Sequence, residues 1–178
     1  MRYRNIESPD NPIIKEALKI KEKRPRYKNN AFLIEGPHLL EAAAPSGKSE
    51  APFAIKKIFF TEDFKNRNAA LFRRFLKSPA EMFEVPDRLI KALSDTDTPQ
   101  GVVAVASYSP KALEEVDLSG VLVVCDGIQE PGNLGAIIRT ADAAGAGGVT
   151  ILPGTCDAFE GKALRASAGS IFNVPIIY

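Results

Sequence analysis

The chain carries one histidine, His38, and two cysteines, Cys125 and Cys156, among 178 residues. So few soft ligands cannot cluster around zinc or iron, so no metal site is expected. His38 reads as a helix residue rather than a catalyst. Two cysteines are also too few for a disulfide framework. With Cys125 inside an apolar strand pattern, a reducing cytoplasm is the expected compartment. No apolar run reaches about 18 residues, so no membrane span is expected. The opening stretch MRYRNIESPDNP lacks the apolar centre of a signal peptide. Gly127, Gly132 and Gly135 fit neither the dinucleotide fingerprint nor the P-loop, and no Lys-Ser/Thr pair follows them. A dinucleotide-dependent enzyme is therefore disfavoured.

The hydrophobic share is that of an ordinary globular protein, and the length allows one large domain or two small ones. A net charge of +1 hides an asymmetry. Residues 1–106 hold 19 Lys and Arg against 14 Asp and Glu, whereas residues 107–178 hold 4 against 8. A basic first half and an acidic second half suggest two domains with different tasks. Tyr108–Ser119, with a proline and no sustained apolar pattern, is the natural linker. The expected division is therefore 1–106, a linker at 107–119, and 120–178.

In the first part, Asn11-Pro12 can cap and start a helix. Ile13, Ile14, Ala17 and Leu18 form its apolar face. Its other face and tail carry the densest basic segment, with Lys21, Lys23, Arg24, Arg26 and Lys28, and Pro25 is expected to end it. The cluster is either a solvated helix face or a contact for phosphates. Tyr27 nearby could stack on a base. Strands are expected at 32–35, 55–60, 81–85 and 101–106, and helices at 37–44, 61–77 and 87–93, the last capped by Asp87. Residues 45–52 and Ser94–Gln100 are loops by composition. Glu35, at a strand end, is expected to pair with a neighbouring basic side chain or to cap the next helix. Such alternation implies helices on both faces of a sheet.

The second part centres on Val121–Leu152. Val121–Cys125 is apolar and β-branched, which suits a strand buried on both faces. Asp126–Asn133 is a loop, 134–144 a helix, and Val149–Leu152 a second buried strand. This is a βαβ unit, expected to cross over right-handed. A loop between first strand and helix is where open α/β sheets bind ligands. It concentrates Asp126, Gln129, Glu130 and Asn133. Arg139 stands alone between Ile138 and Ala141, facing back toward the loop mouth. On spacing alone two readings stand. Either Asn133 and Arg139 serve chemistry, or Asn133 caps the helix and Arg139 is a surface residue, paired for example with Asp142. A helix at 159–168 and a strand at 171–177 follow. Lys162 and Arg165 share a helix face, and Ser167 lies in a tight Ala-Ser-Ala-Gly helix end.

The stretch DGIQEPGNLGAIIRTADAAGAGGVTIL resembles the first signature motif of the SpoU/TrmH class of RNA ribose 2′-O-methyltransferases. The stretches KALRASAGSIFNVP (162–175) and FLIEGPHLLEA (32–42) resemble the same family. The fold this implies is α/β. A ribosomal-protein-like α/β/α RNA-binding domain precedes the first, incomplete part of a Rossmann-like SPOUT (trefoil-knot) methyltransferase domain. The implied cofactor is S-adenosylmethionine. The implied partners are RNA, ribosomal RNA before tRNA, and a second copy of the full-length protein as a homodimer.

Ribose 2′-O-methylation must deprotonate a weakly acidic hydroxyl and align it with a sulfonium methyl. A guanidinium near the hydroxyl and its phosphate lowers that cost electrostatically. The resemblance gives this activating role to Arg139, with Asn133 ordering the loop or the ribose. It makes Glu130, Gly132 and Gly135 loop-structuring residues. Gln100, Lys162, Arg165 and Ser167 join the basic segment as RNA-binding residues. The family builds its cofactor pocket mainly from later motifs and a knotted chain end. The expectation is that this chain is truncated and binds S-adenosylmethionine poorly, its cofactor residues lying in the missing part. The alternative is a non-catalytic RNA-binding module.

Overall fold

The computed structural model describes residues 3–44, 53–110, 113–116 and 120–178. The chain divides into two compact units, one of residues 1–48 and Ala54–Ser107, the other of residues 49–53 and Tyr108–Tyr178.

The first unit is a five-stranded sheet in the order β1-β4-β3-β5-β2. Its strands are β1 (Arg4–Asn5), β2 (Ala31–Glu35), β3 (Phe53–Phe60), β4 (Glu81–Glu84) and β5 (Val102–Tyr108). β1, β4 and β3 run parallel, and β2 pairs antiparallel with β5. The two-residue β1 had no apolar pattern to announce it; both of its residues are exposed. Period-two alternation sends the strand side chains to opposite faces. Phe59, Phe83, Val103 and Val105 meet Ile14, Ala17, Leu89, Ile90 and Leu93 from α1 (Pro12–Lys19) and α6 (Asp87–Leu93). Phe59 stacks on Phe83 with centroids 5.5 Å apart. On the other face Phe60 meets Phe72 of α5 (Ala69–Phe75) edge-on at 4.8 Å. Both faces are covered, as the alternating pattern requires.

Asn11 caps α1 by accepting from the Ile13 N–H at 2.9 Å. Pro25 does not end a helix but sits in the first turn of a second one, α2 (Lys23–Asn29), which closes on left-handed Asn30. Proline is tolerated there because first-turn N–H groups have no partner within the helix. The helix expected over 61–77 is broken at Asn68 (φ −118°, ψ 41°) into α4 (Glu62–Arg67) and α5. Pro86, not Asp87, occupies the cap position of α6. After β2 comes α3 (Pro37–Ala42). The loop expected at 45–52 lies outside the described residues. Within the expected linker, Ser107 and Tyr108 continue β5 and Leu113–Glu115 form a 3-10 turn, while 111–112 and 117–119 lie outside the described residues.

The second unit is a parallel sheet in the order β6-β7-β8: β6 (Leu122–Cys125), β7 (Gly148–Ile151) and β8 (Ile176–Ile177). Helices α7 (Pro131–Ala143) and α8 (Gly161–Ser167) connect them. Crossovers of one hand without a reversal of strand order place both helices on one face. Accordingly α7 and α8 pack against each other. A Cβ at Gly135 would lie 2.4 Å from the Ala163 carbonyl oxygen and 2.6 Å from Ala166 Cβ. This layering corrects the expectation that the first strand is buried on both faces. β6 is an edge strand, with Val124 56% and the adjacent Val121 71% exposed.

Candidate active site and basic surface

The loops after β6 and β7 are joined at the carboxyl ends of these parallel strands. Thr155 Oγ1 donates to the Cys125 carbonyl at 3.0 Å and accepts from the Ile128 N–H at 3.3 Å. The Cys156 N–H donates to the Ile128 carbonyl at 2.8 Å, and Gln129 Nε2 donates to the Gly154 carbonyl. The Thr155 hydroxyl therefore holds the first loop to the second, a role its position in a Pro-Gly-Thr-Cys turn did not reveal. Burial pushes both the Cys125 and Cys156 thiols up, the latter helped by the negative charge of Glu160.

Helix α7 begins three residues before the expected point. Glu130 is its N-cap and Pro131 its first residue, so Asn133 is inside the first turn and does not cap it. Glu130 pairs with Lys162 in the first turn of α8 at 2.5 Å. The Lys162 hydrogen bond, then its charge and the Gly132 backbone amide, hold the Glu130 carboxyl below its ordinary range. The pair ties together the beginnings of the two helices. Gly132 faces it, its Cβ position 3.5 Å from Glu130 Oε1 and 3.9 Å from Lys162 Cε. Gly135 is not in the loop; its place is the helix–helix contact.

Asn133 and Arg139 are both exposed on α7. Six helical residues separate them by about 9 Å along the axis and about 120° around it. Arg139 thus lies in the third turn of α7. It makes no hydrogen bond or ion pair with another described residue. Asp142, its example partner in the surface-residue reading, accepts instead from Asn173 Nδ2 at 3.0 Å. On α8, Arg165 is half-buried. Ser167 is fully buried and donates to the Leu164 carbonyl at 2.8 Å, so it does not face a substrate as expected.

Along β6 and α7 runs an apolar groove of about 390 Å³, lined by residues including Val121, Val123, Ile137 and Thr140. Thr140 spends its hydroxyl on the Ala136 carbonyl. The groove offers no charged group and does not fit a cofactor with an adenosine and a zwitterionic tail.

In the first unit the basic segment splits by role. Lys23, Arg24 and Lys28 are exposed. Lys23 Nζ lies 5.7 Å from the centre of the Tyr27 ring. Lys21 and Arg26, expected among the RNA contacts, are engaged internally. Arg26 is 7% exposed and donates to the Ile20 and Lys21 carbonyls at 3.0 and 2.9 Å. Lys21 donates to the Ala92 and Ser94 carbonyls at 3.2 and 2.7 Å. Gln100 is exposed, its side chain beside Gly36. Among the described residues no group of His, Cys, Asp and Glu can hold a metal ion, and no helix is long and apolar enough to cross a membrane.

Residues 11–104 match the MRM3-like substrate binding domain, and residues 120–178 match the SpoU rRNA Methylase family. The chain is 36% identical over 174 residues to the 23S rRNA (guanosine(2553)-2′-O)-methyltransferase RlmP of Bacillus subtilis, covering 98% of this chain and 64% of that protein. It is 32% identical over 177 residues to the human mitochondrial rRNA methyltransferase 3, covering 95% of this chain and 40% of that protein. The crystal structure of an AdoMet-bound rRNA methyltransferase from Sinorhizobium meliloti superposes with a TM-score of 0.81 at 28% identity, over 99% of this chain and 65% of that one. The chain thus spans less than two thirds of the length of these relatives. Substrate-binding segment, methylase segment and shared fold agree along nearly the whole chain, which belongs to the SpoU/TrmH class of the SPOUT RNA methyltransferases.

Proposed function

We propose that this protein methylates a ribose 2′-hydroxyl of ribosomal RNA, with S-adenosylmethionine as the donor. The observation that carries the reading is the guanidinium of Arg139, exposed and unpaired among the described residues. An arginine on a helix with an acid three residues away ordinarily forms a local pair. Here Asn173 takes that acid, and the guanidinium stays open to an incoming anion.

The donor supplies a methyl group on a positively charged sulfur. Arg139 holds the phosphate beside the target ribose and stabilises negative charge developing on the 2′-oxygen, which eases loss of its proton. Asn133, at the opening of the same helix, orders the loop or the ribose. Glu130 and Lys162 keep the beginnings of α7 and α8 in register. Lys23, Arg24 and Lys28 provide the non-specific phosphate contacts. The groove along β6 and α7 is not the cofactor site, and no residue described here is assigned to the donor.

Ribosomal RNA is favoured by the names of the Bacillus and human relatives, although a Synechocystis relative is named for tRNA or rRNA. Those names do not favour the alternative of a binding module without catalysis. Free cysteines support a cytoplasmic location. A homodimer is supported by the uncovered apolar face along β6 and α7.

The test is transfer of labelled methyl from S-adenosylmethionine to ribosomal RNA, read by nucleoside mass spectrometry. Label in a 2′-O-methyl nucleoside, lost in Arg139→Ala, is expected. Label on a base, or transfer unchanged by Arg139→Ala, overturns the reading.

A further inference from the structure

Ile128 lies two residues before Glu130, the N-cap of α7, in a stretch that is neither helix nor strand. Both of its backbone polar groups are nevertheless held, and both by the loop after β7. Its N–H donates to Thr155 Oγ1 at 3.3 Å, and its carbonyl accepts from the Cys156 N–H at 2.8 Å. Thr155 gives its own hydroxyl proton to the Cys125 carbonyl at 3.0 Å, which also accepts from the Leu152 N–H at 2.9 Å. A tight turn presents this hydroxyl. The Thr155 N–H closes residues 152–155 by donating to the Leu152 carbonyl at 3.1 Å, with Pro153 second and Gly154 third at φ +92°. Proline and left-handed glycine in those places are the type II pattern, which leaves the backbone little freedom. The Gly154 carbonyl of the same turn accepts from Gln129 Nε2. Thr155 is 8% exposed, so its bonds are largely out of competition with water.

We infer that Thr155 is a positioning residue of the methyl transfer: its hydroxyl fixes Ile128, and so the place where α7 begins, and it acts through Asn133. The inference rests on the transfer reaction proposed above and on the role given there to Asn133. From Ile128 the path is short. Glu130 follows two residues later, and its carbonyl accepts from the Asn133 N–H at 3.0 Å. Farther along α7, Leu134, Gly135, Ile138 and Ala141 are buried, so packing holds the turns that carry Arg139. The opening turn has less packing, with Pro131 and Gly132 half-buried and Asn133 exposed. The Glu130–Lys162 pair also ties it, but its side chains are 53% and 60% exposed, and such pairs hold weakly. The buried Thr155 hydroxyl is the firmer anchor. A displacement of about 1 Å in a group that orients the reactants can cost about a hundredfold in rate. An anchor just ahead of the helix therefore bears on the reaction although Thr155 itself is buried.

The test is Thr155→Val, which keeps the shape of the side chain and removes both of its hydrogen bonds. Two readouts are taken well below the melting temperature of each variant: amide exchange by NMR, and transfer of labelled methyl from S-adenosylmethionine to bacterial 23S ribosomal RNA. Exchange is expected to quicken at the Ile128 and Asn133 amides and to stay unchanged at the buried Val149 and Ala141. The kcat is expected to fall about tenfold while KM for the RNA stays within about twofold. Thr155→Ser, which restores the hydroxyl, recovers most of the rate and the slow exchange. Asn133→Ala/Thr155→Val is expected to be no slower than Asn133→Ala alone, because one residue acts through the other. If Thr155→Val does not fold, Gln129→Ala loosens the same junction from its exposed side and replaces it with the same expected outcome. Wild-type kcat in Thr155→Val, or exchange at Asn133 as slow as in the wild type, overturns the inference and leaves the transfer reading standing. A double variant slower than Asn133→Ala by the full tenfold overturns it as well. A wild-type chain that transfers no methyl group overturns the proposed function, and with it the part of Thr155 in the reaction.

Discussion

Asn173 donates its side-chain amide to the Asp142 carboxylate at 3.0 Å, taking the acid that helical spacing offers to Arg139. Arg139 is exposed and touches no other described polar group, so its removal has little structural cost. In Arg139→Ala the stability is expected to stay within about 0.5 kcal/mol of wild type. Methyl transfer is expected to fall about a hundredfold or more, since one donor lost from a developing oxyanion has that effect. Parallel thermal melts and transfer assays check both halves.

Removing Asn173 releases the acid. In Asn173→Ala, Asp142 becomes available to Arg139 one helical turn earlier. Transfer is expected to drop several-fold as a local pair competes with the substrate anion, while Asn173→Ala/Asp142→Asn recovers it. Transfer rates of the single and double variants decide this.

Gly135 is where the two helices of the second unit come closest. A methyl group there would meet the Ala163 carbonyl oxygen at 2.4 Å and the Ser167 nitrogen at 2.9 Å, both backbone atoms that cannot rotate away. Gly135→Ala is expected to destabilise the chain by about 1–3 kcal/mol, despite alanine's better helix propensity. Urea denaturation monitored by circular dichroism measures it; a stabilised variant would refute the packing argument.

Arg26 and Arg24 stand two residues apart with opposite expected phenotypes. Arg26→Ala removes a buried guanidinium from two carbonyls and is expected to cost about 1.5–3 kcal/mol. Arg24→Ala is expected to leave the melting temperature unchanged and to lower the salt slope of RNA binding by about one.

Glu130 titrates below its ordinary value because Lys162 donates to its carboxylate. A carboxyl depressed in the folded state stabilises at pH values above its unfolded pKa. That contribution fades as pH falls through the lower, folded value. Carbon-13 NMR of the Glu130 side chain is expected to show a midpoint under the ordinary 4.5. Lys162→Ala is expected to move it up. An unchanged midpoint would show that the pair does not persist in solution.

The order of elements was legible because periodicity and helix signals act locally. Asn11-Pro12 started its helix as capping chemistry requires, and the βαβ unit around Val121–Leu152 followed from apolar runs and glycines. Four features were not legible, most of them for a non-local reason. Val124 is apolar in pattern but exposed, because strand order puts both helices on one side. Arg26 and Lys21 looked like part of a charged surface, yet their partners are backbone carbonyls that the fold brings to them. Ser167 lies in a motif suited to substrate contact but turns inward to its own helix. Glu35 showed only a strand end; the hydroxyls it holds come 59 and 61 residues later.

The open flank of β6 bears on how the protein behaves in a tube. Among the described residues no strand pairs with the outer edge of β6, whose backbone amides and carbonyls stand beside the exposed Val121 and Val124. Such a flank is a template for one more strand from any neighbour, and neither a charge nor a proline within Leu122–Cys125 blunts it. Self-association of this chain through that flank is expected to grow with its concentration, and Val124→Lys is expected to suppress it.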